Sequence, residues 1–211
     1  MISTLDAIDI NSLEFGAPKK NANHYSIHVS ATGTDRILIQ SPKFELVANL
    51  DTASDSYIDM VCKCPEFLCA LKAVDQTMID VIKSKRDEWF PNKTIDDTFV
   101  EVGQVPSVIL KNVVRLRVNK NIDIFESKSK EKTETTTLDA GTMTKCILHL
   151  NGIWFTATRW GLTWSIVQMK TYPAEVKKKV YKGYMFPDEE SDHERDNEDD
   201  IDTEPAPPPG V

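Results

Sequence analysis

Hydrophobic and polar positions along the chain follow two periods. A period of two runs from His24 to Ser30, where Ile27 and Val29 share a face, and predicts a strand. Ala31–Asp35, with Gly33 inside it, reads as a turn. Arg36–Gln40 reads as a second strand, Lys43–Ala48 after Pro42 as a third, and Leu50–Asp59 as a polar connection rich in Asp and Ser. The period then changes. Phe67, Leu71, Val74, Met78, Val81 and Ile82 recur at steps of three and four and predict one long helix over Pro65–Trp89. Pro65 suits its first turn and Pro91 closes it. Its Met and aromatic positions read as core packing. The strand period returns in Ser107–Asn119, where Val114, Leu116 and Val118 face a core while Arg115 and Arg117 face outward. Glu126–Thr137 has no apolar residue and predicts a long loop. Thr142–Leu150 reads as a strand, Asn151-Gly152 as a tight hairpin, and Ile153–Thr158 as the returning strand.

The last apolar stretch, Ile153–Tyr172, holds three of the four tryptophans, at Trp154, Trp160 and Trp164. Its second run, Leu162–Tyr172, follows a break at Arg159-Trp160-Gly161. One face of that run carries Trp164, Ile166, Gln168, Lys170 and Tyr172, and the other Thr163, Ser165, Val167, Met169 and Thr171. Both faces are mixed, so a simple half-buried strand does not account for it. A face with Trp, Gln, Lys and Tyr can stack bases and neutralise phosphates. The alternative is that the tryptophans belong to the core of a β-barrel, since Trp is highly buried on average. Strands, one helix and further strands together predict a mainly β fold, an OB-fold-like barrel with its main helix between the third and fourth strands. The barrel is expected over residues 23–186, after a loose N-terminal arm at 1–22.

Charge divides the chain. Residues 187–211 hold 11 acidic residues and one basic residue, a net of −10, while residues 1–186 hold 22 acidic and 24 basic, a net of +2. The acidic positions are Asp188, Glu189, Glu190, Asp192, Glu194, Asp196, Glu198, Asp199, Asp200, Asp202 and Glu204. A like-charged block ending in EPAPPPGV predicts a disordered tail of the kind that contacts partners. Lys177, Lys178, Lys179 and Lys182 form a basic cluster ahead of it. The N-terminus lacks the basic and apolar regions of a signal peptide, and no apolar run reaches the roughly 18 residues of a membrane span. An intracellular, soluble protein is expected. Cys62, Cys64, Cys69 and Cys146 lack the two-close-pair spacing of a zinc site and read as reduced thiols. No cofactor and no metal are expected. The four histidines sit in no catalytic motif and no phosphate-cradling glycine loop is present, so enzyme activity is not expected.

The segment GIWFTATRWGLTWSIVQMKTYP, Gly152 to Pro173, resembles the C-terminal signature of the phage-type OB-fold single-stranded DNA-binding proteins of large double-stranded DNA viruses. Phe155, Gly161, Trp164, Gln168, Lys170 and Tyr172 are its clearest positions, and the acidic tail is a second shared feature. The first hundred residues fit only in the order of elements. The resemblance implies a protein that coats unwound DNA in viral replication, recombination or repair. It also implies a tail that recruits replication partners, such as a polymerase or helicase, and competes with DNA for the binding cleft. The chain departs from the phage pattern at its end, which is Pro-Pro-Pro-Gly-Val and not an aromatic residue. On the residues themselves, Trp154, Trp160, Trp164 and Tyr172 are candidates for stacking. Arg115, Arg117, Arg159 and Lys170 are candidates for phosphate contact, with Lys120 and Lys111 behind them. Trp160 and Arg159, at the strand-to-strand break, rank highest. The alternatives are a non-catalytic adaptor or structural viral protein that binds partners through its acidic tail, and an RNA-binding protein. The expected location is the site of viral DNA replication, in nucleus or cytoplasm, and the oligomeric state, a homodimer included, is left open.

Overall fold

The structure is a computed structural model of the 211-residue chain and describes residues 2–3 and 12–173. Twelve strands and two helices occur among the described residues, and five long strands close into a ring. The N-terminal strands are β1 (Ile2–Ser3), β2 (Leu13–Phe15), β3 (Lys19–Lys20) and β4 (Tyr25–Ala31). They are followed by β5 (Leu38–Leu46), β6 (Leu50–Asp51) and β7 (Ser56–Cys62). Helices α1 (Pro65–Trp89) and α2 (Asp97–Val102) come next, then β8 (Gln104–Val105), β9 (Val113–Glu126), β10 (Thr137–Leu138), β11 (Met143–Phe155) and β12 (Trp160–Tyr172). The sheet order β5-β7-β9-β12-β11 is closed by pairing of β11 back onto β5. Within the ring β9 and β12 run parallel and every other neighbour is antiparallel. The fold is therefore mainly β and barrel-like with one main helix, as the order of elements predicts. Closure satisfies the strand edges that an open sheet would expose.

Alternation fills the barrel. Val114, Leu116 and Val118 of β9 are fully buried, while Arg115 and Arg117 point outward. Ile39, Phe44, Met60, Leu148, Leu150 and Ile166 meet them from the other strands. Helix α1 has the predicted bounds, with Pro65 in its first turn. Phe67, Leu71, Val74, Met78 and Ile82 form its buried stripe against the barrel, and Phe67 meets Phe44 edge to face. Truncating Leu71 or Met78 to Ala would cost about 2–5 kcal/mol through lost burial and the cavity left behind. Helix α2, which the sequence pattern did not predict, is capped by the Asp96 carboxylate accepting the Phe99 N–H.

Several expected boundaries move, each for a local reason. Pro42 does not separate two strands. Arg36–Gln40 and Lys43–Ala48 instead become one strand, β5, with a bulge, because the register against β11 slips between Lys145 and Ile147. The Ser41 hydroxyl there accepts the Cys146 N–H. The supposed connection Leu50–Asp59 contains β6 and most of β7. The strand expected over Ser107–Asn119 starts at Val113 and runs on to Glu126, with Asn121 at φ +59° along the way. Asn151-Gly152 is not a hairpin but a bulge inside β11. Gly152 has φ +154°, and a Cβ there would lie 2.1 Å from the Ile27 carbonyl oxygen. Only glycine fits both demands. At this point β11 passes from pairing with β5 to pairing with β4. Part of the expected N-terminal arm is held in place, since β2 and β3 pair with β4 and β1 with β5. The basic cluster Lys177–Lys182 and the acidic tail from Asp188 onward lie outside the described residues.

Candidate nucleic-acid interface

The outward faces of β7 and β9 start the site. Antiparallel register sets Tyr57 opposite Arg117 and Asp59 opposite Arg115. Ile58, Met60 and Cys62 turn inward on the same strand, which leaves Tyr57 65% exposed. Trp154 comes from β11, directly opposite Gly161 of β12. A Cβ at Gly161 would lie 2.9 Å from Trp154 Cζ2, so the absent side chain makes room for the indole across the neighbouring strand. Trp154 is half-buried.

Two open hollows share Tyr57, Trp154 and Thr163 as a common wall. One, about 600 Å³, is lined by Val47, Val105, Ile109, Leu162 and Trp164 together with Asp59 and Arg115. The other, about 720 Å³, is lined by Lys19, Asn21, His24, His28, Asn151 and Arg117 among others. The pair of aromatics thus stands between two recesses that each mix apolar surface with polar side chains, an arrangement that can grip a planar ring and hydrogen-bond its edge.

The arginines are not free cations. Arg115 makes a two-pronged contact with Asp59, Nε and Nη2 donating to the two carboxylate oxygens at 2.7 and 2.8 Å. That contact holds the Asp59 carboxyl below its ordinary range and raises the Arg115 guanidinium above its own. Arg117 lies 3.7 Å from the Asp55 carboxylate, a looser pairing. Asp55 also accepts the Lys120 main-chain N–H, and the Lys120 side chain is exposed. Along β9 no acidic residue stands between Arg115 and Arg117. Their partners come from the connection before β7 and from β7 itself, which sequence spacing along one strand does not reveal.

Trp160 corrects the strongest expectation. It is fully buried, stacks on Phe155 with ring centroids 6.3 Å apart, and donates its indole N–H to the Val100 carbonyl at 2.8 Å. The hairpin is Thr156–Arg159, closed by the Thr156 N–H donating to the Arg159 carbonyl. Trp160 is therefore the first residue of β12, paired with Phe155 and facing inward. No base can stack on it. Arg159, its neighbour, is exposed on that hairpin and lines neither hollow. Trp164 is also buried, at 2% exposure. Its indole N–H donates to the Ser107 hydroxyl, which donates in turn to the buried Asp75 carboxylate of α1. Burial raises the Asp75 carboxyl above its usual range. The two mixed faces of β12 have one cause. Gln168 pairs with Ile147 and Ile166 with Leu148, so Val167 is an extra residue. The bulge turns Trp164 and Ile166 inward and Gln168 and Lys170 outward.

The candidates therefore separate into two places. Trp154, Arg115 and Arg117 come together around Tyr57. Lys170 and Tyr172 lie at the far end of β12, in a different hollow. Tyr57, Lys19 and His28 were missed. The alternation of Tyr57, Asp59 and Val61 against Ile58, Met60 and Cys62 was the available signal, hidden by the Asp and Ser residues around it. All four cysteines are free, and burial pushes the Cys146 thiol up to about 12. No cluster of His, Cys, Asp and Glu suited to a metal ion occurs among the described residues, and no described helix is long and apolar enough to cross a membrane.

The chain is similar to solved structures of two phage proteins. One is gp2.5, a single-stranded DNA binding protein encoded by bacteriophage T7, at a TM-score of 0.46 and 9% identity, with 69% of this chain and 98% of that chain covered. The other is the single-stranded DNA-binding protein from bacteriophage Enc34 in a C-terminally truncated form, at 0.41 and 9%, covering 75% and 95%. The untruncated Enc34 protein gives 0.38 and 9%, covering 75% and 89%. No curated protein matches the chain. The model of a family of unknown function (DUF5871) matches residues 48–188, more than half of the sequence, and the chain belongs to that family.

Proposed function

We propose that this chain binds single-stranded DNA, without catalysis, and coats unwound DNA during replication, recombination or repair in a virus-infected cell. One observation carries the reading. Tyr57 is an exposed aromatic set opposite Arg117 and sharing both hollows with Trp154. Sequence-tolerant binding of a single strand needs π-faces for bases and cations for the backbone, and this cleft offers both within a rigid sheet. Tyr57 and Trp154 supply the stacking surfaces, while Arg117 and Lys19 supply the nearest positive charge. The likeness of residues 152–173 to the phage-type signature supports the same ligand.

The acidic segment at 187–211 has a second role on this reading. Tethered to a body of opposite net charge, it competes with DNA at low salt and recruits replication proteins such as a polymerase or helicase when DNA displaces it. The test is a fluorescence titration of the full chain with oligo-dT, poly-U and duplex DNA at two salt concentrations. Quenching by oligo-dT with weak response to the duplex is the expected result. Equal binding to duplex and single strand refutes it, and preference for poly-U moves the ligand to RNA.

A further inference from the structure

Far from the Tyr57–Trp154 cleft, three lysines lie side by side across three strands. Lys145 of β11 is the direct partner of Lys170 on β12 and of Lys43 on β5. Phe125 of β9 is the next partner beyond Lys170. All three lysine side chains project from the outer face, because Thr144, Cys146 and Met169 between them are buried. Like charges directly opposite one another destabilise a sheet. Seven ion pairs occur among the described residues, and none involves Lys43, Lys145, Lys170 or nearby Lys130. Among the described residues the row therefore has no ion-pair partner. Aromatic rings accompany it: the Lys43 ammonium sits 4.4 Å from the centre of the Tyr172 ring, and Phe125 and Tyr172 line the same open hollow of about 370 Å³. Gln40 and Gln168 from the adjoining register add amide groups.

We infer that this row is a second grip on the single strand, holding the part that leaves the cleft along the outer surface of β12. The inference rests on the single-strand reading of the cleft. Seven steps along β12 lead from Thr163 in the cleft to Lys170 in the row, about 23 Å at the rise of a strand. Cations interleaved with aromatics and amides suit a nucleic-acid strand. An acidic peptide would need only the cations.

The experiment compares oligo-dT of about 5 and about 14 nucleotides, two lengths within the range one OB-type barrel covers, on the full chain and its Lys43→Gln/Lys145→Gln variant. On the long strand the variant is expected to bind more weakly, with a salt slope lower by about 1.4, two phosphates at ~0.7 each. On the short strand its affinity should equal that of the unchanged protein. A thermal melt accompanies both titrations, and it should show no loss of stability, since the substitutions relieve like-charge contact and keep most of each aliphatic stem. An unaltered slope on the long strand, or equal losses at both lengths, overturns the proposal. Tighter binding of the long strand by the variant overturns it too, and assigns the row to an acidic peptide. Failure of the unchanged protein to bind either length refutes the single-strand reading itself.

Discussion

Tyr57 and Trp160 make opposite predictions from the same chemistry. Tyr57 keeps 65% of its surface exposed, whereas Trp160 keeps none and spends its indole N–H on the Val100 carbonyl. In Tyr57→Ala the ring lost is mainly solvent-facing, so the fold should be little affected. If Tyr57 stacks on a base, the same change removes ~1–3 kcal/mol of binding, a loss of about 5- to 150-fold in affinity. Tyr57→Phe keeps the π-face and should retain most of the affinity. Trp160→Ala opens a cavity beside Phe155 and leaves the Val100 carbonyl unpaired, a cost of about 3–5 kcal/mol in stability, large against the usual stability of a domain. It should lose DNA binding only as it loses structure. Fluorescence titration with oligo-dT and urea unfolding, run on all three variants, separate the two effects. The stacking role is wrong if Tyr57→Ala binds as tightly as the unchanged protein while remaining folded.

Arg117→Ala should lower the salt slope for oligo-dT by about 0.7, while Arg115→Ala should change it less, because its contact with Asp59 already satisfies the guanidinium. Equal slopes for both variants would show that the contact opens on binding. His149 has its Nε2 buried without a partner, and burial, followed by the charges of Arg36 and His28, lowers its pKa. Folded His149 therefore stays neutral where the unfolded residue, near 6.5, takes up a proton, so stability is fully present above about pH 6.5 and falls as the pH drops from there through the lowered folded pKa. Urea midpoints between about pH 7.5 and 5.5 should fall less for His149→Gln than for the unchanged protein. Neutralising the acidic residues of 187–211 at constant length should raise oligo-dT affinity, most at low salt, and abolish capture of a replication partner. Equal affinity across a salt series leaves the segment a partner-binding element alone.

What was legible in the sequence was local. Helix α1 has its predicted ends because a period of three and four, a proline in the first turn and a proline beyond the last all lie within one stretch. The facing of Val114, Leu116 and Val118 followed from the same kind of local pattern. What escaped depends on partners distant in sequence. Whether Trp160 faces in or out turns on where the chain turns back, and moving that turn from Arg159-Trp160-Gly161 to Thr156–Arg159 makes Trp160 the first residue of β12. Gly152 looked like a turn residue because glycine serves both turns and close approaches, and only the Ile27 carbonyl distinguishes them. Val167 carries no sign of being a bulge, yet it decides that Trp164 is core and Lys170 is surface. Asp59 and Arg115 lie 56 residues apart and meet only in the ladder.

The same pairing decides how the surface divides its work on the proposed reading. In the cleft, Asp59 compensates Arg115 and Asp55 partly compensates Arg117, so Lys19 and the loosely paired Arg117 are the cations left to attract a phosphate. Beneath it, the chain of hydrogen bonds from Trp164 through Ser107 to Asp75 ties β12 to α1 and fixes the floor against which Trp154 and Tyr57 stand. A cleft of that kind binds through shape and stacking, which salt screens weakly. The lysine row is the reverse: it has no ion-pair partner among the described residues, and Lys43 and Lys170 lie open to solvent. Affinity for a short strand should then depend weakly on salt and strongly on Tyr57, while each added phosphate that reaches the row steepens the salt dependence. A salt slope that is already steep on the shortest strand and constant with length would mean that charge acts within the cleft itself, with the carboxylates of Asp55 and Asp59 displaced by DNA.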